Sequence, residues 1–148
     1  MSLTLDNEAA TQALGTKIGG ALRAGDSILL SGPLGAGKTV LARAILRALG
    51  ITERVPSPSF TLVQIYETLD LIVRHFDLYR IERESDLVEL GLQEALSEGA
   101  IIVEWPEHAF GQMPETALKI ELFPVKGEVR TAHLTGHEHW ADVLETCR

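Results

Sequence analysis

Cysteine is almost absent from this 148-residue sequence, which contains only Cys147. A single thiol cannot form an intramolecular disulfide or a multi-thiolate metal site, so both kinds of stabilisation are excluded. Long apolar runs are also missing, because no stretch approaches the roughly 18 residues of a membrane-spanning helix. The start of the chain lacks the basic and apolar regions of a secretory signal. We therefore expect a soluble cytoplasmic protein.

Basic residues are in the minority, with 13 Lys and Arg against 21 Asp and Glu and a formal net charge of −8. A protein that holds nucleic acid on its own surface neutralises phosphates with clustered Lys and Arg. The acidic balance argues against strong direct tRNA binding, so any role on RNA would need a partner. The length suits one domain, residues 1–148, and no repeat, low-complexity tract or linker divides it.

Apolar spacing predicts alternating helices and strands, which is typical of an α/β fold. Helical spacing begins after Asp6 or Asn7 and ends at Gly25, and a second helix runs from Lys38 to Gly50. The remaining predicted elements are buried strands at 28–30 and 100–103, a stiff loop at 55–59, a hairpin of 60–66 with 71–76, a helical stretch from Ser85 to Leu96 interrupted near Gly91, paired strands at 118–122 and 129–134, and a short closing helix containing Trp140, Val143 and Leu144.

The segment from Gly32 to Thr39, GPLGAGKT, matches G-x-x-x-x-G-K-[ST] at every fixed position. A predicted buried strand precedes it and an amphipathic helix follows it, which is the structural context that this phosphate-binding loop requires. Glycines let backbone N–H groups converge on a polyphosphate, and the helix N-terminus adds a positive dipole end. Lys38 is expected to reach the β- and γ-phosphates, and the Thr39 hydroxyl to ligate Mg²⁺.

The base of the bound nucleotide can be predicted from a motif that the sequence lacks. Guanine-specific GTPases use an N-K-x-D loop, and the only asparagine of the chain is Asn7, far from where that loop would fall. ATP, with ADP as its product, is therefore the predicted nucleotide. The chain is also too short to add the second helical subdomain of a large AAA-type motor.

Two acidic residues stand where a phosphate-binding loop needs them. Asp77 and Glu104 each follow an apolar run, at the carboxyl end of a predicted strand. Ligands bind at that edge of α/β sheets, and a nucleotide hydrolase needs carboxylates there to hold Mg²⁺ or its water and to orient the attacking water. The alternative is that both are solvent-exposed carboxylates at strand ends.

Five segments in order give the sequence its resemblance to a known family. The phosphate-binding loop is followed by PSPSFTLV from Pro56, HFDLYR from His75, ELGL from Glu89 and VEWP from Val103. This ordered set closely resembles the bacterial TsaE (YjeE) family and runs through most of the chain.

The resemblance implies a fold and a function. It implies an α/β, P-loop NTPase-like three-layer sandwich whose central, largely parallel sheet has antiparallel additions. It also implies a small Mg²⁺-dependent ATPase that is required, with the TsaD and TsaB subunits, to form threonylcarbamoyladenosine at position 37 of ANN-decoding tRNAs.

Carried over by position, the resemblance also implies roles for individual residues. Lys38, Asp77 and Glu104 would be catalytic, and Thr39, Glu104 and Asp77 would hold the metal. The expected nucleotide contacts are Gly32, Gly35, Ala36, Gly37, Lys38, Thr39 and Val40, with Thr61 in a switch-like loop and Thr11 and Arg130 as outlying contacts. Two positions depart from the family: Ser59 and Val40 stand where threonine is frequent. Valine cannot donate a side-chain hydrogen bond to the α-phosphate, although the backbone donors of the loop are unaffected.

Several residues have more than one interpretation. Trp105 directly follows Glu104 and is expected near the nucleotide, although buried tryptophans more often belong to the core. Arg80 and Arg83 would supply a cis arginine or a lid, or would pair with nearby acids. His133, His137 and His139 are better explained as a solvated tail than as a metal site.

Two other functions remain open beside the ATPase. The phosphate-binding loop and the strand-end acids would serve a small-molecule kinase equally well. A nucleotide-gated binding module with negligible turnover would also need the same loop. A kinase should add an acceptor pocket and an arginine-rich lid, for which Arg80 and Arg83 are the only candidates.

Overall fold

Seven strands and five α-helices form from the alternating apolar segments of the chain, as described by a computed structural model covering residues 1–148. The strands are β1 Ser2–Leu5, β2 Ser27–Ser31, β3 Val63–Glu67, β4 Ile72–Asp77, β5 Ala100–Glu104, β6 Leu118–Lys126 and β7 Val129–Thr135. The helices are α1 Glu8–Ala21, α2 Lys38–Ala48, α3 Glu84–Glu89, α4 Leu92–Glu98 and α5 His139–Glu145, with a 3₁₀ turn at Pro106–His108. None of the helices is long and apolar enough to span a membrane.

The strands form one mixed sheet in the order β1-β7-β6-β2-β5-β4-β3. The four central strands, β6, β2, β5 and β4, run parallel to one another. Strand β3 pairs antiparallel with β4 at one edge, and β7 and β1 add antiparallel at the other. This arrangement confirms the predicted P-loop NTPase-like α/β fold with a parallel centre and antiparallel additions.

Two hydrophobic clusters cover the two faces of the sheet, because alternate residues of each strand point to opposite faces. On β5, Ile102 belongs to the cluster under α1 and α2, whereas Ile101 and Val103 belong to the cluster under α3 and α4. Strands buried on both faces must be continuously apolar, which explains why 28–30 and 100–103 could be recognised from sequence.

Helices α1 and α2 pack closely where α1 has no side chain. A Cβ atom on Gly15 would lie 2.4 Å from the Cβ of Ala44, and one on Gly19 would lie 2.5 Å from the Ile45 carbonyl oxygen. Gly20, on the same helix, faces open space. The contact fixes α2, and therefore the phosphate-binding loop before it, against the rest of the fold.

Four details of the sequence prediction are wrong. Strand β1 was not predicted; it pairs antiparallel with β7, where Leu3 lies opposite Ala132. Strand β3 begins at Val63 rather than at residue 60, because the preceding residues form a turn. Helix α3 starts at Glu84, so Ser85 is not its cap; the Asp86 carboxylate instead accepts the Arg83 backbone N–H at 3.4 Å.

The fourth detail concerns the histidines that were predicted to form a solvated tail. His133 lies in β7 with its ring 5.2 Å from that of Phe123, and His139 begins α5 with its Nε2 2.9 Å from Asp26 Oδ1. His133 and His139 therefore belong to regular elements and not to a tail, while His133 and His137 are exposed as predicted.

Candidate functional site

The phosphate-binding loop joins the end of β2 to the start of α2 at the carboxyl edge of the parallel strands. Gly37 caps α2 with φ of 101°, a conformation that side-chain-bearing residues rarely adopt. Gly32 has φ of 138°, and a Cβ there would lie 2.4 Å from the Leu122 carbonyl oxygen. The glycines of the motif thus allow both a left-handed turn and a close approach to β6.

A cleft of about 300 Å³ opens over this loop. Its walls come from the loop and α2, from the segment before β3, and from the ends of β4 and β5. The lining residues are Leu34, Gly35, Ala36, Gly37, Lys38, Thr39, Val40, Ser57, Ser59, Asp77, Glu104, Trp105 and Arg130. The structure therefore gathers most of the sequence-predicted site residues around one cleft.

Lys38 is buried, with 5% of its surface exposed. Its Nζ donates to the carbonyl oxygens of Gly32 at 2.5 Å and Pro33 at 3.0 Å. Burial lowers the pKa of Lys38, and the carboxylates of Glu104, Glu107 and Asp77 partly oppose that shift. Because little water surrounds this ammonium group, its electrostatic attraction for an anion that enters the cleft is strong.

Glu104 is held by two side chains. Its Oε1 accepts a hydrogen bond from Thr39 Oγ1 at 3.1 Å, and its Oε2 lies 2.7 Å from Nε2 of His75. The glutamate is 3% exposed and ends β5, in register with Leu30 at the end of β2. The residue is therefore linked directly to the threonine of the phosphate-binding loop.

Asp77 lies beside Glu104, because the parallel pairing of β4 with β5 puts the two residues in register. Its Oδ1 accepts the backbone N–H of Tyr79 at 2.9 Å, and its Oδ2 accepts from Ser59 Oγ at 3.3 Å. Asp77 is 6% exposed. Both carboxylates are thus buried and hydrogen-bonded, and the alternative of solvent-exposed strand-end acids is wrong.

The oxygen donors at this edge suit a magnesium ion better than a softer metal. Thr39, Asp77 and Glu104 offer a hydroxyl and two carboxylates, and Mg²⁺ is usually bound by one or two carboxylates together with substrate phosphates and water. The chain has no group of three or more His, Cys, Asp or Glu side chains arranged around one point. The protein donors would therefore complete a magnesium site only together with a phosphate ligand.

Arg130 reaches the phosphate-binding loop from β7. Its Nε and Nη2 each donate at 3.1 Å, to the carbonyl oxygens of Ala36 and Gly35 respectively. A smaller pocket of about 60 Å³ adjoins the cleft on this side. Its lining residues are Glu8, Thr11, Gly37, Val40, Glu128 and Arg130. Thr11 and Arg130, predicted as outlying contacts, thus share one pocket next to the loop.

Three predicted site residues do not line the cleft: Gly32 bonds to Lys38 beneath it, Thr11 lines only the adjoining pocket, and Thr61 lies away from both. The Thr61 side chain is exposed, and its Oγ1 accepts from Gln64 Nε2 at 2.9 Å. Ser57 and Ser59 line the cleft instead, with their Oγ atoms 2.7 Å apart. Any contact of Thr61 with a nucleotide remains a prediction.

Trp105 lies next to the loop lysine. Its backbone is left-handed, with φ of 60°, and this turn directs the ring back toward α2. The ring centroid is 4.2 Å from Lys38 Nζ and 4.8 Å from the Tyr79 ring. The position of Trp105 in the wall of the cleft agrees with the expected proximity to the ligand.

The lid candidates lie elsewhere. The Arg80 guanidinium carbon stacks 4.9 Å from the Phe60 ring centroid, and neither Arg80 nor Arg83 lines the cleft. Another arginine, the exposed Arg43 of α2, donates from its Nε to the Val55 carbonyl at 2.7 Å and so anchors the loop that carries Ser57. An arginine-rich lid over the cleft is not formed by these residues.

Sequence reasoning missed two residues of this site. Both lie in segments that carry the family resemblance, but no role was predicted for either residue. The signal for His75 was its position two residues before Asp77, since residues i and i+2 of a strand point to the same face. For Ser57 the only other signal is a hydroxyl between two prolines.

Comparison with known proteins points to one family. The family described as threonylcarbamoyl adenosine biosynthesis protein TsaE matches residues 5–132. A Rickettsia felis protein named tRNA threonylcarbamoyladenosine biosynthesis protein TsaE is 40% identical over 106 residues, which cover 71% of this chain and 62% of the relative. The Streptomyces coelicolor protein of the same name is 38% identical over 138 residues, covering 86% and 92%.

A solved structure agrees with these sequence matches. The crystal structure of Bacillus subtilis YdiB superposes with a TM-score of 0.82 and 26% sequence identity, covering 99% of this chain and 93% of that one. The alignment with the Rickettsia felis protein, in contrast, spans less than two thirds of that relative's length.

Proposed function

Because the chain belongs to the TsaE family and thus to tRNA threonylcarbamoyladenosine biosynthesis, we propose that it is the pathway's Mg²⁺-dependent ATPase. In this proposal it binds ATP and acts with the TsaD and TsaB subunits in the modification of position 37. The observation that carries the proposal is the convergence of Lys38, Thr39 and Glu104 on one cleft. A strand-end glutamate hydrogen-bonded to the threonine of a phosphate-binding loop suits metal-assisted phosphoryl transfer.

Phosphate binding rests on the loop and on Lys38. Backbone N–H groups from Gly35 to Thr39 and the N-terminus of α2 supply neutral donors and a positive dipole end. Lys38 adds a charge-assisted hydrogen bond once it exchanges its bonds to loop carbonyls for phosphate oxygens. The buried Lys38 ammonium would stabilise the negative charge that develops on the phosphate oxygens during phosphoryl transfer.

The carboxylates divide the remaining tasks. Thr39 and Glu104 would hold Mg²⁺, which supplies charge neutralisation for the phosphates when bound. Asp77, anchored by Tyr79 and Ser59, lies beside them and would hold a metal-bound water or orient the attacking one. In hydrolysis the attacking water oxygen bonds to the γ-phosphorus while the bond from that phosphorus to the β,γ-bridging oxygen breaks, so ADP, inorganic phosphate and a proton from the water are released.

In this proposal the base and ribose lie on the side of the cleft next to the pocket that Thr11 and Arg130 line. Arg130 supports this region by holding the carbonyls of Gly35 and Ala36, which keeps the loop's N–H groups directed into the cleft. Val40 contributes its backbone N–H and apolar contact, but no side-chain hydrogen bond to the α-phosphate. ATP is preferred to GTP because the chain has no N-K-x-D loop.

The position of the arginines is the reason why we expect the isolated chain to hydrolyse ATP slowly. Arg130 is the only arginine that lines the cleft, and its guanidinium is already bonded to backbone carbonyls. In related hydrolases an arginine supplied to the γ-phosphate raises turnover by about 10³- to 10⁵-fold. A partner subunit would supply that charge or order the site.

The loop from Val55 to Thr61 is the proposed surface that reports the γ-phosphate to the partners. Ser57 and Ser59 face the cleft, while Phe60 in the same loop is 82% exposed. A loop that touches ligand on one side and presents an aromatic ring on the other is suited to such signalling. With a net charge of −8, the chain offers tRNA little attraction of its own.

The experiment measures phosphate release from Mg²⁺-ATP by the chain alone and with TsaD and TsaB added. We expect slow release alone and stimulation by the subunits, with most hydrolysis lost in Glu104→Gln and Asp77→Asn. Filter binding of tRNA to the isolated chain should be weak at physiological salt.

Four outcomes would change the proposal. Fast hydrolysis without partners would indicate an autonomous enzyme, and a phosphorylated small molecule in a metabolite screen would indicate a kinase. Nucleotide binding without any phosphate release in the complex would indicate a nucleotide-gated binding module. Parental hydrolysis in either carboxylate variant would remove that residue from the mechanism.

A further inference from the structure

A buried histidine lies behind the carboxylates of the cleft. His75 is 0% exposed, does not line the cleft, and has its Nε2 2.7 Å from Glu104 Oε2. Strand pairing fixes this contact: His75 is in register with Ile102, two residues before Glu104 on the same face of β5. The backbone of the sheet therefore holds the imidazole and the carboxylate together.

The hydrogen bonding of His75 is unlike that of a histidine that only fills the core. Its Nδ1 is buried with no hydrogen-bond partner, whereas Nε2 is directed at the carboxylate. An unsatisfied buried polar atom costs about 1–3 kcal/mol. An apolar side chain would fill this space between α2 and the sheet without that cost, so the contact with Glu104 is the feature that requires histidine.

We propose that His75 is a positioning residue for Glu104. The N–H at Nε2 donates to Oε2 and fixes the plane of the carboxylate, while Thr39 Oγ1 donates to Oε1 on the other side. Thr39 Oγ1 also lies 3.4 Å from Oε2. The two donors together set the direction of the carboxylate lone pairs that remain free. Removing either donor leaves the carboxylate free to rotate.

This inference rests on the proposed function for what the fixed carboxylate does, which is to meet Mg²⁺ beside the phosphates. Removal of a group that hydrogen-bonds to a metal ligand and orients it typically lowers metal affinity by about 10- to 100-fold. His75 would thus strengthen magnesium-dependent nucleotide binding without touching the nucleotide.

The experiment compares His75→Leu with His75→Gln, because the glutamine amide nitrogen can take the place of Nε2 as a donor. Calorimetry measures ADP affinity with Mg²⁺ and with EDTA. For His75→Leu we expect the gain in affinity that Mg²⁺ provides to fall about 10-fold or more, with less than about a two-fold change in EDTA. His75→Gln should recover most of the gain.

A double-mutant cycle separates positioning from a general structural effect. In a Glu104→Gln background, His75→Leu should change Mg²⁺-ADP affinity by less than about two-fold, because the group that it positions is already altered. Equal losses in both backgrounds, or equal losses with and without Mg²⁺, would overturn the inference.

A spectroscopic measurement covers the case in which His75→Leu does not fold. The Nε2 ¹⁵N resonance of His75, identified among the five histidines by its disappearance in His75→Gln, should shift in Glu104→Gln. An unchanged resonance would overturn the inference. If the parent releases no phosphate even with its partners, the proposed function fails, and this resonance and the calorimetry still decide whether His75 positions Glu104.

Discussion

The ammonium of Lys38 lies over the ring of Trp105, with Nζ 4.2 Å from the ring centroid. Trp105 reaches this position because it follows Glu104 directly and turns with φ of 60°. A cation over an indole face is stabilised by about 0.5–2 kcal/mol, the larger value applying where water is excluded. When Lys38 moves to a phosphate, it changes the environment of this indole.

Tryptophan fluorescence should therefore report nucleotide binding. We expect ADP or ATP to change the emission of the parent, and this change to be lost in Trp105→Phe. Trp140→Phe is the matched control, because Trp140 is 1% exposed in the cluster under α1 and α2 and does not line the cleft. A full response in Trp105→Phe would place its ring away from the ligand.

The phosphate-binding loop and its two acids could be predicted because each depends on local sequence. The glycines and the lysine of the loop act within eight residues, and Asp77 and Glu104 each end an apolar run. Parallel strands bring their carboxyl ends to one edge, so strand-end residues far apart in sequence meet there. Most of the predicted residues therefore line one cleft, and their roles there stay predictions.

Register and side-chain direction could not be predicted in the same way. That His75 contacts Glu104 depends on which residues of β4 and β5 lie opposite each other, and a one-residue slip would point His75 to the other face. Strand β1 was missed because its polar-apolar alternation covers only four residues, and the strand forms by pairing with the distant β7. Thr61 points away because the loop turns before β3, where Leu62 has φ of 67°.

Loss of the Lys38 ammonium should weaken nucleotide binding. Lys38→Ala removes a charge-assisted hydrogen bond that neutral backbone donors cannot replace, so we expect affinity for ADP and ATP to fall about 10- to 100-fold. Calorimetry measures this, with Lys126→Ala, an exposed lysine at the end of β6, as the control. Unchanged affinity in folded Lys38→Ala would refute the assignment of the loop.

The contact between α1 and α2 predicts opposite effects at two glycines of one helix. Gly20→Ala should stabilise the protein by about 0.5–1 kcal/mol, since alanine favours helix and the position is open. Gly15→Ala gains the same propensity but overlaps Ala44, and overpacking of this kind costs about 1–3 kcal/mol. Urea unfolding measures the free energy of unfolding of the two variants. Equal values would mean that α1 and α2 move apart at little cost to make room for the added methyl group.

The buried ammonium also predicts how stability depends on pH. Burial lowers the pKa of Lys38 below 10.5 in the folded protein. Between the folded pKa and 10.5 the unfolded chain binds more protons than the folded chain does, so the contribution of Lys38 to the free energy of unfolding rises with pH in that window. Below the folded pKa both states are protonated and the contribution is constant at its lowest value.

The test compares parent and Lys38→Met without nucleotide, by urea unfolding from about pH 8 toward 10.5. The free energy of unfolding of the parent minus that of the variant should rise with pH. The raised pKa of Tyr66 lowers stability as pH passes 10.0, but it does so in every variant and cancels in the difference. A difference that falls with pH would mean that Glu104, Glu107 and Asp77 outweigh desolvation and hold Lys38 charged.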